Sequence, residues 1–321
     1  MRLPVVRQRE KAAYVLPSNT LERRGFMYKY IGEYPKNREN GWSDEAQGVC
    51  HDDFNWFFTQ KGKLWKFPVG HDLDSQIEES DIDGKNIICN HYGYHLGDID
   101  YHNGYIFVPV TEDDKPYIAV FSAEDLSYIT RQVITRDGDY YDSLGWCAID
   151  ASGERLYTSD RNMAAYYGED TSPIVVYDID YDAIAEKSDH FLSYKAVLIL
   201  RTEGGSKMCL THSQGGCFDE ENNLYLTNGY PRCHKQRGLF IFSVPKTLEK
   251  YQRYDVYRIA KSKQDGVFKF KFKVSQGEEP EGITYWDLKK AGHEAPEISG
   301  VLHVIMIDNY GVNDDDLYFK H

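Results

Sequence analysis

The sequence predicts an all-β fold, a β-propeller of five blades, from three observations. A unit of small residues, short strand, Asp/Asn turn and second strand recurs along the chain. Its spacing suits propeller blades. Runs rich in Val, Ile, Tyr and Phe, bounded by Gly, Asp, Asn and Pro, fill the gaps between copies as strands.

The clearest copy is Ser213–Thr227 (SQGGCFDEENNLYLT). Others are Gln47–Thr59 (QGVCHDDFNWFFT), Leu96–Val108 (LGDIDYHNGYIFV) and Gly145–Thr158 (GWCAIDASGERLYT), with a weaker one from Glu279 (EPEGITYWD). Taking Gln47, Leu96, Gly145, Gln214 and Glu281 as markers, the copies stand about 49, 49, 69 and 67 residues apart. Further strand-like runs follow each copy. The first is followed by Lys63–Val69 and Lys85–Asn90, the second by Tyr117–Ser122 and Tyr128–Ile134. The third is followed by Ile174–Ile179 and Ala196–Arg201, the fourth by Gly238–Val244 and Val267–Val274. Four short strands per copy make a blade, and radial repetition leaves only short, protected edges.

The last copy has three strands, Glu281–Trp286, Val301–Asp308 and Asp316–Lys320, before the chain ends. Gly25–Tyr34 is the expected fourth strand, closing the ring by pairing N- and C-terminal segments. The alternative is six blades, if a long insertion hides a degenerate copy. The expected organisation is an N-terminal arm over 1–24 and one propeller domain over 25–321. The arm is basic, with Arg2, Arg7, Arg9, Lys11, Arg23 and Arg24.

Between the strands, Asp180–His190 reads as one or two helical turns. Thr247–Ala260 reads as a short helix or a ragged strand, and Lys289–Ser299 as a polar hairpin loop. The acidic connector His71–Gly84 lacks the ligand spacing of a calcium hand loop and reads as a solvated turn. Asp160–Pro173 is a long loop of the kind that carries function.

The net charge of −14 argues against nucleic acid or an anionic membrane as partner, because phosphate binding needs a basic surface. The six cysteines include no CxxC pair. Cys50, Cys147 and Cys217 fall at equivalent inner-strand positions, where a thiol serves as a small hydrophobe. No run approaches the roughly 18 apolar residues of a membrane span, and the first residues lack a signal-peptide core. The expectation is a soluble protein, cytoplasmic as written, or secreted if a leader has been removed.

In a propeller the residues just before each inner strand converge at one mouth of the central channel. Here they include Gln47, His95, Asp98, Trp146, His212, Gln214, Glu279 and Glu281, and each approach contains a glycine, as crowded backbones require. Two readings follow. In one, these groups form a polar plug that satisfies backbone and water. In the other they form a pocket, with Asp98, Glu279, Glu281, His95 and His212 as candidate acids and bases. Trp146, Gln47 and Gln214 then hold substrate, with Trp146 as a stacking platform. Paired carboxyls suit glycoside hydrolysis and imidazoles suit lyase chemistry. Calcium is a further expectation, held by oxygens of Gln47, Asp98, Gln214 and Glu281, with Asp98 and Glu281 as its principal ligands.

The stretches QGVC, HLGDID, SQGGC and EPEGIT, with the ending LHVIMIDNYGVNDDDLYFKH, resemble an uncharacterised bacterial β-propeller family across most of residues 45–321. The resemblance implies a propeller and brings no activity with it. The Glu281-Gly282 approach is similar to those of gluconolactonase-like and phytase-like esterase propellers. Five blades also compare with arabinanase-type glycosidases, calcium-dependent apyrases and tachylectin-type lectins, analogies of fold alone.

The first expectation is therefore a carbohydrate-directed hydrolase or lyase acting on a small molecule or glycan at the channel mouth. The second is a non-catalytic glycan- or protein-binding propeller. The third is a calcium-dependent phosphohydrolase or lactonase-like esterase.

Overall fold

A computed structural model describes residues 33–34, 42, 45–77, 87–92, 94–112, 115–136, 139–140, 143–161, 173–229, 238–261, 278–295, 297–298, 300–308 and 317–320. The expected arm over 1–24, the strand Val267–Val274, Cys233 and most of the Asp160–Pro173 loop lie outside these residues. The architecture is all-β and propeller-like.

The first sheet runs in order through β2 (Ala46–His51), β3 (Asn55–Gln60), β4 (Lys63–Pro68) and β5 (Ile88–His91). The second holds β6 (His95–Leu96) and β7 (Asp100–His102), both paired with β8 (Tyr105–Thr111), then β9 (Tyr117–Ser122) and β10 (Tyr128–Val133). A small hairpin follows, β11 (Thr135–Arg136) with β12 (Asp139–Tyr140). The third run is β13 (Leu144–Ile149), β14 (Arg155–Asp160), β15 (Pro173–Ile179) and β16 (Leu192–Arg201). The fourth is β17 (Ser213–Phe218), β18 (Asn223–Asn228), β19 (Gly238–Ser243) and β20 (Gln252–Lys261).

The last sheet has β21 (Glu278–Tyr285), β22 (Leu302–Asp308) and β23 (Leu317–Lys320), completed at its edge by β1 (Glu33–Tyr34). The antiparallel pairs Glu33–Lys320 and Tyr34–Phe319 bring the last two residues of the expected strand Gly25–Tyr34 to the C-terminal strand, and residues 25–32 lie outside the described residues.

Thr247–Ala260 takes the strand of its two readings, and the loop reading of Lys289–Ser299 changes in part. Residues 252–261 are the strand β20, and it supplies the fourth strand of its run. Its edge pairs in parallel with β16, from Ala196–Gln252 to Arg201–Tyr257, so two runs share one eight-stranded sheet. Two long outer edges thereby satisfy each other's backbone groups. The polar hairpin loop begins with α2 (Leu288–Ala291), capped by Asp287 and ended by Gly292 at φ 78°. The helical turn expected near 180 is α1 (Tyr181–Ala185), with Asp180 as its N-cap.

Alternating side chains explain the packing. Phe57 points into a cluster with Leu96, Ile106 and Val108, while Trp56 and Phe58 pack on the other side with Trp286 and Ile305. The same division gives Phe107 with Leu144 and Leu156, Trp146 with Leu224 and Phe240, and Tyr225 with Ile283 and Val304. Each apolar cluster thus lies between successive strand runs. The turns after the inner strands are held by aspartates. Asp52 accepts from the backbone N–H of Phe54 and Asn55, at 2.7 and 2.6 Å. Asp219 accepts from Glu221 and Asn223, at 2.9 and 2.8 Å.

The inner strands follow one another as neighbours from β2 to β7, β13, β17, β21 and back to β2. Their glycines permit this crowding. A methyl group on Gly48 would meet Asp98, one on Gly97 would meet Gly145, and one on Gly145 would meet Ser213. One on Gly215 would meet Glu281, and one on Gly282 would return to Gly48, in every case closer than 3.0 Å to backbone. The described cysteines are all free, and Cys50, Cys147 and Cys217 are buried beside this axis, where burial pushes their thiols well up. No helix among the described residues is long and apolar enough to cross a membrane.

Candidate functional site

The eight residues singled out from the sequence divide into two levels. In strand register, Gln47, Gln214 and Glu281 precede the glycines of their copies. Asp98 and Trp146 follow theirs, and so lie two residues deeper along the inner strands.

Asp98 is fully buried. Its Oδ1 accepts the backbone N–H of Val49 at 2.9 Å and of Ile99 at 3.1 Å. Its Oδ2 accepts those of Gly216 at 2.9 Å and Ile283 at 3.2 Å. Its own backbone joins the third inner strand, receiving from Cys147 N and donating to Gly145 O. One residue therefore ties the second inner strand to the other four. Burial pushes its carboxyl well up, against the opposing N–H bonds from Val49, Gly216 and Ile283. All the contacts named are donors, so the geometry is made for the carboxylate. With its lone pairs so engaged and no exposed surface, Asp98 is a structural pin rather than an acid at the mouth.

Trp146 is likewise corrected. It has no exposed surface, packs its ring on Gly216, and donates from Nε1 to Ser159 Oγ at 3.0 Å. It presents no face on which a sugar could stack.

Above this level the structure brings Gln214, Glu279 and Glu281 together. Gln214 Nε2 donates to Glu279 Oε1 at 2.6 Å and to Glu281 Oε1 at 2.7 Å. All three side chains are buried. Burial first, then the neighbouring Glu279 charge, pushes the Glu281 carboxyl well above its ordinary range, with Arg161 and the Gln214 amide opposing. Two acids on one amide are the arrangement in which one carboxyl retains its proton.

His212 is half-buried, with Nδ1 2.9 Å from Thr211 O. Burial and then the Arg161 charge hold its imidazole below its ordinary value. His95 is exposed at the rim, yet enough protein surrounds it that desolvation is the largest effect lowering its imidazole, followed by Arg161 and Lys61. Gln47 is half-buried and donates to Glu45 O at 3.4 Å, on the side where Lys61 pairs with Glu45 at 3.3 Å.

Arg161 was not among the residues singled out. It follows β14, half-buried, and its charge acts on His95, His212 and Glu281 together. The sequence signal was a basic residue just past the second strand of a copy, as Lys61 is in the first. Among the described residues, no group of three or more His, Cys, Asp or Glu side chains is arranged to hold a metal ion.

No protein-family model matches the sequence, and no curated protein matches it. Solved structures similar to it include a glutaminyl cyclase of Myxococcus xanthus, at 11% identity over 91% of this chain and 95% of that one, with a TM-score of 0.48. A nidogen/laminin complex is similar at 14% identity over 79% and 70%, TM-score 0.42. A protein of Bacteroides fragilis, described as a putative 6-phosphogluconolactonase, is similar at 11% identity over 68% and 57%, TM-score 0.39.

Proposed function

We propose that residues 25–321 form one five-bladed propeller whose mouth, at the starts of the inner strands, binds a polar, hydroxyl-bearing small molecule such as a sugar and acts on it as a hydrolase or lyase. Glu281 is the acid, Glu279 the base or nucleophile, and Arg161 the group that meets negative charge on the substrate. His95 and His212, held neutral, are acceptors or bases at the rim. The five-blade count is supported by the succession of inner strands and by the glycine contacts that return from Gly282 to Gly48.

The observation that carries the chemistry is the single Gln214 nitrogen between two buried glutamates, one of them pushed well up. An acid that keeps its proton beside one that does not is the division of labour that acid–base catalysis needs. Both oxygens lie within 2.7 Å of that nitrogen. Those two oxygens are therefore no more than about 5.3 Å apart, below the roughly 6.5–9.5 Å that holds a water between the carboxyls of an inverting glycosidase. A covalent double displacement or a lyase step suits it better.

A non-catalytic binding propeller is the second reading. It is favoured by the Gln214 amide itself, which occupies the space between the acids.

The test is a thermal-shift screen of sugars, uronic acids and lactones, followed by turnover assays on whatever binds. The proposal expects a ligand whose shift and turnover are both lost in Glu281→Gln and Glu279→Gln. Binding without turnover, unchanged in both variants, overturns the enzyme reading and leaves the binding one.

A further inference from the structure

Four arginines of this chain are held by carboxylates. Arg131 pairs with Glu112 at 3.1 Å, Arg155 with Asp150 at 3.0 Å, Arg201 with Asp255 at 2.9 Å, and Arg258 with Glu203. Arg161 differs. It is half-buried, yet among the described residues no carboxylate lies within ion-pair distance of its guanidinium and no side-chain hydrogen bond holds it.

Backbone bonds set its place. Its N–H donates to Ser143 O at 2.9 Å, and its carbonyl accepts from Ser213 N at 3.2 Å. Arg161 therefore sits between the approaches to β13 and β17, next to the segment that carries His212 and Gln214. A methyl group on Gly145 would lie 3.5 Å from its Cγ, so the side chain runs along the glycine of the third inner strand.

A partly buried guanidinium loses hydration, and without a counter-charge it gains nothing in return. The acids of the mouth do not supply one. Glu279 and Glu281 each receive the Gln214 amide instead, at 2.6 and 2.7 Å. The charge is still felt across the mouth, on His95, His212 and Glu281. Lys61, the other cation near the rim, is 66% exposed and pairs with Glu45 at 3.3 Å. Among the mouth residues named, Arg161 is thus the positive charge left for a ligand.

The size of that charge selects the anion. A guanidinium fork meets a carboxylate or a phosphate through two parallel N–H bonds. Arg161 carries one positive charge, and two glutamates share the mouth with it. A monoanion balances the guanidinium. A phosphate dianion brings a second negative charge, which Glu279 and Glu281 repel. A carboxylate therefore suits the site better.

We infer that the sugar taken at the mouth is a sugar acid, its carboxylate received by Arg161 between the approaches to β13 and β17. The inference rests on the sugar-binding reading proposed above and adds the charge class of the ligand. It does not require the site to be catalytic.

The test is calorimetric titration of the full chain at pH 7 and constant ionic strength. The probes are glucuronate, galacturonate and mannuronate, each beside its neutral hexose, and glucose 6-phosphate. At least one uronate should bind saturably, about tenfold or more tighter than its hexose and than the phosphate. Arg161→Gln should bring that uronate and its hexose to equal affinity, and Arg161→Lys should keep part of the preference. Both variants should unfold in urea at or above the wild-type midpoint, since no ion pair is lost, so a lost preference reads the site and not the fold. A hexose bound as tightly as its uronate, or a preference that survives Arg161→Gln, overturns the inference and leaves the sugar reading standing. Tighter binding of the phosphate overturns it as well. Binding of none of these probes overturns both. A preferred uronate that is bound and never turned over upholds the inference and removes the enzyme reading.

Discussion

Asp98 Oδ2 accepts the backbone N–H of Gly216 at 2.9 Å, although 118 residues separate the two. At the position where Asp98 follows its glycine, the other copies carry Val49, Trp146, Gly216 and Ile283. Three of these donate their N–H to Asp98, and the fourth lies beside it through the Asp98–Trp146 bridge. One copy has thus given up an apolar side chain for a carboxylate that gathers the N–H groups of the others. Charged acceptors of this kind are worth about 1.5–3 kcal/mol per bond.

Asp98→Asn should therefore destabilise the fold by about 3 kcal/mol or more. An asparagine keeps one acceptor oxygen, and its amide turns a donor toward N–H groups that then have no partner. Urea unfolding at neutral pH measures this. A loss under 1 kcal/mol would show that the carboxylate is not what joins the strands.

Glu281→Gln should behave in the opposite way. The Glu281 carboxyl is raised by burial and by Glu279, so the folded state holds a proton that the unfolded chain releases. Stability from this group is then greatest below the ordinary glutamate range and is lost as pH rises. Glutamine cannot ionise. The variant should melt at or above the wild-type temperature at pH 8, with the advantage shrinking toward pH 4. A lower melting temperature at pH 8 would contradict the strained acid pair.

Glycine contacts set a third expectation. A methyl group on Gly282 would fall 2.7 Å from Gly48 Cα and 2.5 Å from Asp98 Oδ1, whereas one on Gly70 meets nothing within 4 Å. Gly282→Ala should cost about 1–3 kcal/mol by overpacking. Gly70→Ala should stay within about 0.5 kcal/mol of wild type. Parallel urea titrations of both variants decide it. Equal stabilities would mean that the inner strands are not in close contact.

The chain's architecture was legible because it is written in local pattern. The alternation Trp56, Phe57, Phe58 splits between two clusters as period-2 burial demands, and the aspartate turns follow from side-chain chemistry. Even ring closure could be read, since a last copy short of a strand needs a donor. The site was legible only in part. Glu281 and Asp98 are both acids beside a glycine, yet one precedes it and the other follows. That difference of two residues moves a side chain about 6.8 Å along a strand and separates a mouth residue from a buried pin. Trp146 follows its glycine too, and is buried for the same reason. Arg161 was missed because its role arises from a second strand, whose end meets the mouth only once the sheets are arranged around the axis.

Asp100 gives the last expectation. It lines a cavity at the ends of the inner strands, with His51, Asp52 and Asp53 on the same wall. Its carboxyl accepts from Tyr101 N at 2.8 Å and Ile149 N at 2.7 Å, yet burial outweighs both and lifts it from 3.8 to about 7. A raised acid binds more protons in the folded chain than in the unfolded one. The linkage slope is therefore negative, and stability falls as pH rises between about 4 and 7. Glu281 is raised as well and pushes the same way, so wild type should lose stability across this window by more than Asp100 alone explains. Asp100→Asn removes one contribution and should make the decline shallower, with the two proteins most alike near pH 4. Urea midpoints at pH 4, 5.5 and 8 measure both slopes. Parallel slopes would show that Asp100 ionises in the folded chain as readily as in the unfolded one, which a group enclosed in this wall should not do.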